Sequence, residues 1–278
     1  MLPDRRDARR IAGGAAGRYN ATGVFGAAGG IDPDMLLAQN PQAVHYIPLA
    51  TTALAAVFFV VLLARYLRKG ARGAHLLWWA SGVFAYGLGT GLEGSITLFG
   101  NTVALTKAWY IAGALLGGYP LAQGTVYLLL RRRTAHILTA ITLPLIVIAS
   151  VCVVASPVNL DELLPYKPSI HVVAWTWLIA AVPIVNTYAA LFLIGGAVLS
   201  AYRFSRKSAT RNRAVGNSLI AFGAMLPAIG GYMARLGFVE ALYVGEFVGL
   251  IFIWAGYAAC VKPAPYARAE HTAVEPAS

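Results

Sequence analysis

Seven stretches of this chain are long and apolar enough to cross a lipid bilayer as helices: residues 46–67, 75–99, 107–130, 135–156, 172–203, 214–236 and 241–261. A hydrocarbon core about 30 Å thick needs about 20 helical residues to span it. Inside lipid every backbone N–H and C=O must find its partner within the protein, which restricts such segments to helices. The expected fold is therefore all-α, a polytopic membrane bundle of seven transmembrane helices. Composition supports it, since 58% of the residues are hydrophobic and only 12% charged, where soluble domains carry about 25% charged residues.

The formal net charge of +11 raises the question of nucleic acid, but the basic residues are not spread over a face. Arg65, Arg68, Lys69 and Arg72 follow the first span, Arg131, Arg132 and Arg133 the third, and Arg203, Arg206, Lys207, Arg211 and Arg213 the fifth. The alternate connections hold only Lys107, Lys167 and Arg235, beside Asp161, Glu162 and Glu240. Basic residues concentrate on the cytoplasmic side of membrane proteins. The expected partner is thus the bilayer and no nucleic acid, in a cell (inner) membrane with the N-terminus outside and the C-terminus cytoplasmic.

Residues 1–40 run against that rule, because "MLPDRRDARRIAGGAAGRYN" holds five arginines yet would lie outside. They are expected to be a disordered tail or a stretch preceding a true translation start at Met35. The domain divisions are then 1–40, the transmembrane domain 41–262, and a polar tail 263–278 on the cytoplasmic side.

Two three-span units can be traced. "LLARYLRKGARG" and "LSAYRFSRKSATR" end spans 1 and 5 alike, and Gly-rich spans follow each. Spans 3 and 7 each pair a tyrosine with Gly-x-x-x-Gly: Tyr110 with Gly113 and Gly117, Tyr243 with Gly245 and Gly249. This gives a parallel 3+1+3 repeat with span 4 as the inverting linker. The alternative is that basic ends and Gly-rich faces simply recur in any such bundle.

Polar residues inside the spans are few, and they collect near the non-basic end. An ionisable group at depth is costly and by default marks a ligand or ion site. Glu93 and Glu246 are the two acids there. Helical spacing adds Tyr86 and Thr90 to the face of Glu93, and Tyr243 to that of Glu246, with Tyr110 facing in from span 3. Asn186 and Gln123 lie deeper. The expectation is an outward-facing polar cavity binding a small molecule or ion, lined by Glu246, Glu93, Tyr86, Thr90, Tyr110, Tyr243, Asn186 and Gln123, with Pro227 as a hinge. The competing reading is a solid bundle in which Arg235 and Lys107 neutralise both acids.

The seven-span layout resembles that of microbial rhodopsins, whose retinal is held by a lysine of the seventh helix. Span 7 has no lysine before Lys262, so no covalent retinal is expected. The stretches "WYIAGALLGGYPLAQGTVYLLL" and "WASGVFAYGLGTGLE" are similar to segments of uncharacterised bacterial seven-helix integral membrane proteins, a likeness that implies no activity.

No cofactor is expected. His45 with His171, or His75 with His136, would allow a b-type haem within one leaflet, which is kept as a third reading. The leading function is a small-solute or ion transporter or channel; the alternative is a seven-helix receptor or membrane partner subunit with a separate signalling partner. A transport path is expected to continue inward past Gln123 and Asn217, whereas a receptor would be sealed there. No metal site and no catalytic constellation can be assembled, so an enzyme is not favoured. Self-association through small-residue faces is left open.

Overall fold

The computed structural model describes residues 41–207 and 210–262. The two terminal tails anticipated from the sequence lie outside these residues. A 3-10 turn at Ala43–Tyr46 leads into α1 (Ile47–Arg68), followed by α2 (Ala74–Phe99). The third expected span is two pieces, α3 (Val103–Trp109) and α4 (Tyr119–Leu129), with a π turn at Tyr110–Leu115 between them. Then come α5 (Arg132–Ala155), α6 (Thr176–Ala189), a second π turn at Ala190–Gly195, α7 (Gly196–Ser205), α8 (Arg211–Arg235) and α9 (Val239–Val261). Among the described residues there is no strand, only one isolated bridge between Val158 and Val173.

Local chemistry sets several of these ends. Gly237, at φ 96°, makes the turn from α8 into α9, a backbone conformation open to glycine at little cost. The unbroken helix expected over 107–130 fails at Leu116–Gly118. Two glycines there are followed by Pro120, which sits in the first turn of α4, where its missing N–H costs nothing.

α1 packs against α2 and α9, α9 against α8, α8 against α7, and α4 against both α2 and the α6–α7 segment. These contacts close a ring. One core cluster joins Ala55, Phe58 and Leu62 of α1 to Ala80, Val83 and Tyr86 of α2, and to Leu250 and Ile253 of α9. α5 stands outside the ring, against α4 and α6. Its Ile137, Ile141, Leu145, Val147, Ile148, Val151 and Val154 are all at least half exposed. Such an apolar, outward-facing circumference is at home in hydrocarbon.

Among the described residues, five helical stretches are long and apolar enough to cross a membrane: Ala43–Arg68, Arg132–Ala155, Thr176–Ser205, Arg211–Arg235 and Val239–Val261. The protein is an all-α, membrane-embedded molecule. Two of the seven expected spans fall short for physical reasons. The α3–α4 segment is interrupted, so neither piece reaches the required length. α2 is long but rich in Gly, Ser, Thr, Trp and Tyr. It is also flanked by α1, α4 and the π turn after α3, and a helix screened by neighbours can carry small and polar residues that a lipid-facing one cannot.

Candidate functional site

Between α2, the broken α3–α4 segment, α6, α8 and α9 lies a cavity of about 610 Å3. It sits in the half of the bundle away from the arginine-rich connections. The connection between α5 and α6 reaches over it, contributing Glu162, Leu164 and Lys167–His171 to its lining. That connection is held by Asn101, whose Nδ2 donates to the carbonyls of Leu164 at 2.9 Å and Lys167 at 3.1 Å. Lys167 in turn forms an ion pair with Glu240 of α9, which also lies 3.5 Å from Nε2 of the buried His45. Asn101→Ala removes two bonds that tie the connection down, each worth about 1 kcal/mol. Proteolysis within residues 160–171 is expected to speed up about thirtyfold, measured by limited digestion of the purified protein; an unchanged rate would show that Asn101 does not hold the connection.

Both acids line the cavity. Glu93 is only 1% exposed, and its Oε1 accepts a hydrogen bond from Nε1 of Trp109 at 2.7 Å. Glu246 is held from α2, since the Tyr86 hydroxyl donates to its backbone carbonyl at 2.9 Å. The two carboxyl groups border the same cavity, one from α2 and one from α9. Yet Oε2 of each is buried without a donor among the described residues. Neighbouring acids in a poorly solvated site are costly unless a proton or a cation joins them.

The cations proposed as neutralisers do not take that place. Lys107 donates its Nζ hydrogens to the carbonyls of Val154 and Ser156, both at 2.8 Å, satisfying the C-terminus of α5. Arg235 lines the cavity but forms no ion pair with either acid. A solid, internally neutralised bundle is not what these residues make.

Of the expected lining residues, Tyr86, Glu93, Asn186 and Glu246 are in the wall, and so is Pro227. The other four are not. Thr90 turns to α1, its Oγ1 2.9 Å from that of Thr52. Gln123 is buried against α5 and α6, donating to Thr139 Oγ1 and accepting from the Tyr188 hydroxyl, both at 2.6 Å. Tyr110 and Tyr243 are fully buried with unpartnered hydroxyls, Tyr243 packing edge-on to His45. Helical spacing found the right sides of these helices but not which neighbour covers each turn.

Trp109 and the α5–α6 connection were not anticipated. The signal for the connection was its length, the longest between spans; the Trp109 contact, made between α3 and α2, had none. Pro227, the expected hinge, lies where α8 and α9 touch backbone to backbone, and a Cβ on Gly249 would fall 2.8 Å from its Cδ.

Towards the basic end the cavity is lined by Leu121, Leu193, Ile194, Ala224 and Ile253, which belong to or pack against the apolar core shared with α1, α2 and α9. Asn217, expected on an inward path, donates instead to the carbonyl of Arg213 at 2.7 Å. No family model, curated protein or solved structure matches the chain.

Proposed function

We propose that the protein is a seven-helix solute transporter of the inner membrane, with its cavity facing outward, and that Glu246 and Glu93 bind a positively charged group of the solute. The observation that carries this is the pair of adjacent buried carboxyl groups, each with an oxygen lacking a donor, opening onto a 610 Å3 cavity. A cation of the solute would supply the charge that the surrounding helices do not.

The interruption of the third span supports transport in particular. Irregular backbone at membrane depth is tolerated where it lines a cavity, and broken helices are a recurring feature of transporter sites. Gly113, Gly117 and Gly118 border the cavity at this break. α5 outside the ring, between two groups of three segments, fits the 3+1+3 repeat in which one half moves against the other.

One observation favours the receptor reading. The cavity ends on apolar packing, with Gln123 and Asn217 engaged elsewhere. An outward-facing transporter is closed at that level too, so the two differ in what happens after binding. The test is a thermal-shift screen of the purified chain with alkali cations and small organic ammonium compounds, followed by uptake of the stabilising compounds into proteoliposomes. Specific binders raise the apparent stability by mass action. Accumulation in the lumen is expected; binding without uptake would favour the receptor, and absence of stabilisation by every cationic probe would remove both.

A further inference from the structure

The cavity carries charge of both signs, and the signs are kept apart. Glu93 and Glu246 form its acidic wall, with Glu246 two turns inside α9, about 10 Å beyond Val239 at 1.5 Å per residue. Arg235 is the last residue of the antiparallel α8 and lines the same cavity nearer its mouth. Among the described residues its guanidinium has no ion pair, while the other lysine or arginine of the lining, Lys167, is taken by Glu240. Glu162, from the overlying connection, borders the cavity and forms no ion pair among the described residues. The hydroxyl of Tyr110 is buried and unpartnered among the described residues.

Deeper than the acids the wall is apolar, with Leu193, Ile194 and Ile253. A guanidinium offers a fork of donors matched to a carboxylate, with hydrogen bonds of about 2.8 Å. We propose that the cavity takes a small zwitterion bearing an apolar substituent: its ammonium group rests on Glu93 and Glu246, its carboxylate on Arg235, and its side chain against the aliphatic wall. The ammonium supplies the missing donors of the acid pair and the carboxylate the missing partner of Arg235. A simple cation would answer only the first.

This assignment rests on the reading of the cavity as a solute-binding site, and the two can fail separately. The purified full-length chain is titrated by thermal shift with leucine, phenylalanine and proline, with their methyl esters, which keep the ammonium alone, and with their N-acetyl derivatives, which keep the carboxylate alone. At least one free amino acid is expected to bind about tenfold or more tightly than its ester, with the N-acetyl form weaker still. Arg235→Gln is expected to lower the affinity for that amino acid to the level of the ester and leave the ester unchanged. Esters binding as well as the free amino acids in the unaltered protein would overturn the zwitterion while leaving cation binding intact, and needs no variant to fold. Free amino acids that do not bind, or that bind Arg235→Gln as they bind the unaltered protein, would overturn it equally. If esters fail as well, the cation site itself falls.

Discussion

Glu246→Gln is expected to abolish the response to cationic ligands and to leave the protein folded, with a melting temperature equal to or above that of the unaltered chain. The opposite signs of the two effects are what make this substitution informative. Glutamine keeps the length and shape that pack against Glu93, and the bond from the Tyr86 hydroxyl goes to the backbone carbonyl of residue 246, so the helix contact survives. Removing one of two adjacent carboxyl groups relieves the cost of burying them together. The ligand loses its charged partner in a poorly solvated site, where truncating one member of such a pair costs about 2–5 kcal/mol. That is about thirtyfold or more in Kd. An unchanged ligand response would make the acid a structural residue, and a large fall in melting temperature would show that the fold depends on its charge.

The second large effect belongs to the α8–α9 seam. Gly223 and Gly249 face each other so closely that a Cβ on either would lie 2.6 Å from the carbonyl oxygen of the other. Backbone atoms cannot swing away as a flexible side chain does, so the two helices must part. Gly249→Ala is expected to destabilise by about 1–3 kcal/mol, the range of overpacking penalties. Gly231→Ala is the control, because nothing lies within 4 Å of its Cβ position. In open space alanine favours the helix by about 1 kcal/mol over glycine, so this variant is expected to be neutral or stabilised. Thermal or detergent-induced unfolding of both variants checks the pair. Equal stability of the two would mean that the seam is not closely packed.

Much of the helical scaffold could be read directly from residue chemistry. Arginine clusters end α1 and open α5 and α8, and isolated carboxyl groups in apolar helices announced Glu93 and Glu246. The dipeptide Gly117–Gly118 ahead of Tyr119 and Pro120 was also in plain view. By hydropathy it belongs to one continuous helix, because the apolar run on either side is long enough to span. Hydropathy measures how well a segment dissolves in lipid and is insensitive to a local break.

The deeper limit concerns partners. Periodicity gives the angle at which a side chain leaves its helix, and it grouped Tyr243 with Glu246 and Thr90 with Glu93 accordingly. Whether such a residue meets a void or another helix depends on where the neighbour stands. His45 covers Tyr243, and Thr52 covers Thr90; both contacts come from the N-terminal helix region, far away in sequence. For the same reason Trp109 was not recognised as the donor to Glu93.

Cysteine accessibility tests the central claim most directly, because it asks whether water reaches the acids. On a background with Cys152 and Cys260 replaced by alanine, Asn186→Cys and Ala228→Cys place thiols in the cavity wall, and Leu250→Cys places one in the core below it. In sealed membrane vesicles, a membrane-impermeant thiosulfonate is added on the side of the connection between α5 and α6. Rapid modification of the first two thiols and none of the third is the predicted result. Unreactive thiols at both Asn186 and Ala228 would contradict a hydrated cavity and leave Glu93 and Glu246 without access to any ligand.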